Sequence, residues 1–213
     1  MFSGIVEECA TVLDIKQDRE NLDITLTCSF VKDLKIDQSV AHNGVCLTVV
    51  RILDKEGNIV LPHSNDAYAY TVTAMKETLD RSNLGQLSLG NKVNVERSML
   101  MNGRLDGHIV QSHVDITAIC VDKQDLKGSY AYTFQYAFDK EMARRGYITV
   151  DKGSVTVNGV SLTVCNPMND SFQVNIIPYT FDNTNFHTIE IGTKVNIEFD
   201  IVGKYISRLS SIL

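Results

Sequence analysis

The sequence predicts an all-β protein: two small barrels or sandwiches in tandem, followed by a short helix. Three observations carry that expectation. An internal repeat spans nearly the whole chain, each copy is dense in β-branched residues alternating with polar ones, and a three-or-four apolar spacing is confined to the last residues.

The repeat organises everything else. Residues 39–49 read SVAHNGVCLTV and residues 154–164 read SVTVNGVSLTV, with eight of eleven positions identical. A second pair follows in the same order, TLDRSNLGQLSLGNKVNVE at 78–96 against TFDNTNFHTIEIGTKVNIE at 180–198. A fainter pair joins GIVEECA at 4–10 to SHVDITA at 112–118. Matches in one order at a nearly constant offset mark a tandem duplication. The halves run 1–98 and 108–200, joined by MLMNGRLDG at 99–107. The first half carries about 13 extra residues around LPHSNDAYAY at 61–70, expected to form a longer turn between strands. The tail, 201–213, has no counterpart in the first half.

Within the first copy, DITLTC (23–28), SVAH (39–42), CLTVV (46–50) and KVNVE (92–96) read as strands, as do their partners in the second. Asn43-Gly44 and Asn158-Gly159 are the strongest two-residue hairpin signals, and the repeat also pairs them as matching binding positions. DKEMARRG at 139–146 begins with Asp and stops at Gly, a brief helix. In the tail, Ile201, Tyr205, Leu209 and Ile212 share one face of an amphipathic helix, expected to pack against the same stripe of other subunits.

Of 213 residues, 44% are hydrophobic and 22% charged, as in a folded globular protein. A formal net charge of −6 with no basic stripe excludes a nucleic-acid binder that works by neutralising phosphates. No run of about 18 apolar residues is present, and the early acids Glu7 and Glu8 follow no basic lead-in, so neither a membrane span nor a secretory signal is expected. Cys9, Cys28, Cys46, Cys120 and Cys165 are odd in number and widely spaced, against a disulfide framework or zinc site. Most are expected to be small buried apolar residues of a reducing cytoplasm. No metal-ligand cluster or dinucleotide fingerprint is visible, and no cofactor is expected.

The opening MFSGIVE and the segments SVAHNGVCLTV, MKETLDRSNLG (75–85), VNVER (93–97), GHIVQSHVD (107–115), NGVSLTV (158–164), IPYT (177–180) and VNIEFD (195–200) resemble the riboflavin synthase family, alpha subunit type. The resemblance covers essentially the whole chain in order. It implies two similar six-stranded Greek-key barrels, a C-terminal helix, and a homotrimer whose working site joins the N-terminal barrel of one subunit to the C-terminal barrel of a neighbour. The implied reaction is a dismutation of two molecules of 6,7-dimethyl-8-ribityllumazine. One donates a four-carbon unit to the other, giving riboflavin and 5-amino-6-(D-ribitylamino)uracil without metal, flavin or nicotinamide. Duplication suits such chemistry, because two identical substrates need two similar pockets, and holding them together supplies proximity worth up to about 7–11 kcal/mol.

The same resemblance implies the site residues. Catalysis falls to Cys46, Ser39, His113, Ser161 and Asp200. Cys46 stands where the second half has Ser161, and Asp200 where the first half has Ser98. Ligand contacts in the first half come from Cys46, Leu47 and Thr48, and from Thr73, Ala74, Met75, Lys76, Glu77 and Thr78. Their counterparts are Val160, Ser161, Leu162 and Thr163, then Asn175, Ile176, Ile177, Pro178, Tyr179 and Thr180. Lys152 precedes its strand. Gly4, Ile5 and Val6 match Ser112, His113 and Val114. His108 and His113 are the two histidines of the family's H-x-V-x-G-H-V signature, except that Ser112 replaces the usual Gly. Asn158 stands where relatives often have Asp. Two other classes fit the repeat: a non-catalytic lumazine or flavin antenna, and a β-barrel interaction module. Antenna relatives have lost the pocket residues that this chain keeps, Ser39, Cys46, His113, Ser161 and Asp200, and an interaction module leaves the asymmetries of Cys46 against Ser161 and Asp200 against Ser98 unexplained.

Overall fold

A computed structural model describes residues 1–212. The first half folds as β1 (Glu8–Asp18), β2 (Asn21–Thr27), β3 (Ser39–His42), β4 (Val45–Leu53), β5 (Ala69–Ala74), α1 (Lys76–Arg81) and β6 (Lys92–Arg97). The second half repeats the plan with β7 (Ile116–Asp125), β8 (Tyr130–Tyr136), α2 (Lys140–Arg144), β9 (Ser154–Val157), β10 (Val160–Cys165), β11 (Ser171–Ile176), α3 (Pro178–Asn183) and β12 (Lys194–Phe199). The tail forms α4 (Ile201–Ser210). Each half closes into an antiparallel six-stranded barrel, ordered β1-β2-β5-β4-β3-β6 and β7-β8-β11-β10-β9-β12, the Greek-key arrangement that the resemblance implied.

Closure needs strongly bent strands. β1 is bulged between Val12 and Asp14 and β7 between Cys120 and Asp122, the same place in each repeat. Alternation fills the barrels: Val45, Leu47 and Val49 point into the first core, and Val160 and Val164 into the second. Asn43 (φ 47°) and Gly44 (φ 77°), like Asn158 (φ 47°) and Gly159 (φ 77°), take the left-handed conformations of a two-residue turn between paired strands. The first-half insertion does lengthen the β4–β5 connection, but its last two residues, Ala69 and Tyr70, already belong to β5. Among the described residues no helix is long and apolar enough to cross a membrane.

Two of the helices begin on aspartates. Asp139 accepts hydrogen bonds from the N–H groups of Glu141 and Met142 to start α2. Asp200 does the same for Val202 at the start of α4. The part-buried Lys204–Asp115 pair, with Nζ 2.7 and 2.6 Å from the two carboxylate oxygens, and the close approach of Gly146 to Gly203 fasten α4 to the second barrel. Tyr205, Ile206 and Leu209 are left pointing outward, each at least 60% exposed.

The cysteines correct one expectation. Only Cys120 is fully buried, while the other four lie at outward-facing or strand-end positions and are partly exposed. Burial nonetheless pushes the Cys9 thiol up to about 11 and Cys28 up to about 12, so neither is ionised near neutrality.

The barrels meet through asparagines. Asn43, Asn83, Asn94, Asn158, Asn185 and Asn196 are all buried, and each hydrogen bond has a twin in the other half. Asn83 N–H donates to Asn196 Oδ1 at 2.6 Å, as Asn185 N–H donates to Asn94 Oδ1 at 2.7 Å. Asn94 Nδ2 donates to the Asn158 carbonyl at 2.9 Å, as Asn196 Nδ2 donates to that of Asn43 at 2.8 Å. Asn43 and Asn158 are therefore seam residues, not the ligand-binding pair expected from the repeat: their side chains are consumed by Asn94 and Asn196.

The two hairpin turns touch at the centre of the seam, where a Cβ on Gly44 would lie 2.8 Å from Gly159 N. Gly44→Ala should cost about 3 kcal/mol or more in urea unfolding, combining a left-handed residue with a backbone collision. Gly57 (φ 87°) has nothing within 4 Å of its Cβ position, so Gly57→Ala should cost only about 1 kcal/mol. Equal costs would contradict the seam's tight packing.

Candidate functional site

The segments leading into β1 and β7 are exchanged between barrels. Residues 112–114 precede the second barrel, yet Val114 packs on the first core; residues 4–6 precede the first barrel, yet Val6 packs on the second. Backbone hydrogen bonds fix the exchange, Cys46 N–H donating to Ser112 O and Ser161 N–H to Gly4 O, both at 2.8 Å. The segments cross where Phe2 and Val110 trade backbone hydrogen bonds of 2.9 and 3.2 Å.

Two buried glutamates anchor them. Glu96 accepts from Ser3 N–H (2.7 Å), Ser3 Oγ (2.9 Å) and Gly4 N–H (3.1 Å). Glu198 accepts from Gln111 N–H (2.8 Å) and His113 N–H (3.0 Å). Both matched in the repeat, but nothing in a strand-end acid tells a structural anchor from a solvated charge.

The first pocket lies on the outer face of the first barrel, a cavity of about 320 Å³. Cys46, Glu77, Thr78, Ser112, His113 and Val114 line it, so six predicted positions converge, joined by Val45, Arg81 and Ser82, which the sequence reading did not single out. Ser39 pairs with Thr48, two positions along the hairpin from Cys46 and its partner Ala41. Strand alternation therefore puts Ser39, Thr48 and Cys46 on one face. The same alternation turns Leu47, Ala74, Val160 and Ile176 into the barrel cores, and Leu162 packs against one, so only their backbones remain for a ligand. Thr73 is also committed, its hydroxyl donating to Asp23 at 2.6 Å. Met75 and Lys76 are exposed at the start of α1, Lys76 reaching Glu20.

Ser112 is buried in the left-handed region (φ 58°), matching Gly4 (φ 74°), and its hydroxyl has no hydrogen-bond partner among the described residues. A glycine would take that conformation without strain, which is the physical content of the departure noted in the sequence.

The counterpart positions on the second barrel are Gly4, Ile5, Val6, Ser161, Thr163 and Thr180: Ser161 N–H donates to Gly4 O, and Val6 packs on the second core. Here Lys152 Nζ and Asn175 Nδ2 converge on Cys165 Sγ at 3.9 and 3.8 Å. Ile177, Pro178 and Tyr179 are exposed at the start of α3. His108, quoted in the signature but given no role, places Nδ1 2.7 Å from Ser161 Oγ. Burial lowers the His108 pKa, opposed by the negative charge of Asp200. Asp200 thus has two tasks, capping α4 and biasing this histidine. The five expected catalytic residues fall into two sets, Ser39, Cys46 and His113 on the first barrel, Ser161 and Asp200 on the second.

Two Greek-key barrels with exchanged lead-in segments define a tandem lumazine-binding protein, and the sequence pattern of the lumazine binding domain matches residues 3–98 and again 109–200. The chain is 36% identical to a riboflavin synthase of Bacillus subtilis (strain 168) over 98% of its own length and 89% of the relative's. It is 39% identical to a riboflavin synthase of Mycobacterium tuberculosis (strain ATCC 25618 / H37Rv), covering 98% of each. The chain belongs to the riboflavin synthase family. Its fold also matches the crystal structure of LumP complexed with 6,7-dimethyl-8-(1'-D-ribityl) lumazine, at TM-score 0.76 and 20% identity over 93% of this chain and 98% of that one.

The glutamate anchors make a pH prediction. Burial pushes the Glu198 carboxyl up from an ordinary 4.5 to about 7, against the two N–H donors that favour its ionised form. Between those values the folded protein holds a proton that the unfolded chain has released. Stability should therefore fall as pH rises through that window, by on the order of 3 kcal/mol. Urea titrations at pH 4.5 and 7.5 should show this loss in the wild type and a smaller one in Glu198→Gln; identical losses would contradict it.

Proposed function

We propose that this chain is a riboflavin synthase converting two molecules of 6,7-dimethyl-8-ribityllumazine into riboflavin and 5-amino-6-(D-ribitylamino)uracil, working as a homotrimer in a reducing cytoplasm. One observation carries the reading: the two barrels share a frame around the hairpin residue but differ in its chemistry. Both have an exchanged backbone segment, a threonine in the helix after the fifth strand, and a hairpin strand supplying the central residue. That residue is Cys46 beside His113 in one and Ser161 beside His108 in the other. Two identical substrates with unequal fates, donor and acceptor, call for that combination. His113, exposed at the first cavity, is apt to take the proton that leaves an activated methyl group at the start of the transfer.

Purified protein given the lumazine alone should form one riboflavin per two lumazines consumed, with no loss of rate in chelator. Retention of fluorescent ligand without riboflavin would favour an antenna instead.

Binding and chemistry should separate by residue. Cys46→Ser makes the two hairpins alike; it should leave lumazine affinity within a few-fold but lower turnover by about tenfold, roughly 1.4 kcal/mol. Thr48→Val should weaken binding first. Unchanged turnover in Cys46→Ser would return that thiol to a packing role.

Assembly is read from α4, whose Tyr205, Ile206 and Leu209 face outward. Tyr205→Glu with Leu209→Glu leaves the Lys204–Asp115 anchor intact and should give monomers with little turnover in analytical ultracentrifugation and assay. A fully active trimer would make the helix a surface appendage.

A further inference from the structure

Ser161 is hemmed in by backbone. A Cβ on Gly4 would come within 2.7 Å of Ser161 Cβ. One on Gly107 would lie 3.0 Å from Ser161 Cβ, 3.1 Å from its Oγ and 2.0 Å from Ser3 O. Only glycine at 107 lets the connection between the barrels lie this close to both. The next residue is thereby delivered to the serine: His108 donates its N–H to Ser3 O at 3.2 Å and sets Nδ1 2.7 Å from Ser161 Oγ. Among the described residues no histidine hydrogen-bonds the Cys46 thiol: the Cys46 N–H donates to Ser112 O, and His113 lines the same cavity without reaching the sulfur.

A hydroxyl at the mouth of a ligand pocket otherwise rotates freely and costs rotor entropy when a ligand fixes it. A neutral imidazole accepting the Ser161 O–H removes that freedom and leaves the Oγ lone pairs to accept from a ligand. Half-burial of His108 favours the neutral form.

We propose that His108 is a positioning residue of the C-terminal pocket, acting through Ser161 by holding its hydroxyl in one orientation for the transfer reaction. This rests on the reading of that pocket as a lumazine site. It gives Gly107-His108 a task distinct from His113: one histidine serves each barrel.

The test is a double-mutant cycle in the full-length protein, with 6,7-dimethyl-8-ribityllumazine as substrate and urea unfolding as the fold control. His108→Ala should lower kcat about tenfold with KM within about threefold, and Ser161→Ala should do the same. The double variant should be no slower than Ser161→Ala beyond about twofold, because the histidine has nothing left to hold. His108→Asn, whose side-chain amide reaches the place of Nδ1, should recover kcat to within about threefold of wild type. Losses that multiply in the double variant overturn the proposal, as does wild-type kcat in His108→Ala or a His108→Asn protein as slow as His108→Ala. Wild-type turnover in Ser161→Ala, by contrast, overturns the reading of the pocket itself and the proposal with it.

Discussion

The structure depends on six asparagine side chains that the two halves of the chain bury against each other. An amide left unpaired in such a place costs about 1–3 kcal/mol, so the seam tolerates only the arrangement in which every donor finds its twin. Apolar residues there would bind the barrels as firmly but in many orientations. Paired amides fix one. With Gly44 against Gly159 at the centre, the hairpin strands that carry Cys46 and Ser161 diverge from a common point.

That fixed relation is what allows the lead-in segments to be exchanged. Glu96 and Glu198 hold each segment beside the barrel that it enters, while Ser161 and Cys46 pair with it from the barrel opposite. Neither pocket is complete on one barrel. The duplicated frame then carries unlike chemistry, a thiol at one hairpin and a histidine-bound hydroxyl at the other, which is the asymmetry that the proposed donor and acceptor roles call for. Equal binding of both would stabilise ground states only; the differences are where transition-state preference can arise.

Much of this was legible in the sequence because it is local or periodic. The N-G-V-C-L-T-V and N-G-V-S-L-T-V runs marked the hairpins, and Asp139 and Gly146 bounded α2, whereas Leu47, expected at the ligand beside Cys46 and Thr48, turns its side chain into the core. The seam was not legible. Asn94 and Asn196 sit on the polar face of alternating strands, and alternation says which face is polar without saying what covers it. Their partners in the opposite barrel lie 64 to 153 residues away. His108 escaped for a related reason: its role depends on Gly107 meeting Ser161, more than 50 residues on. The cysteines misled because composition records a preference for burial, whereas position in the strand decides it.

The central claim is that the seam holds both proposed ligand sites in shape. Ligand titration of Asn94→Leu with Asn196→Leu, using a non-reacting lumazine analogue and far-ultraviolet circular dichroism as the fold control, tests it most directly. The account predicts a retained β spectrum with affinity at both sites weakened about tenfold or more, roughly 1.4 kcal/mol each. Two sites per chain with wild-type affinity would contradict it.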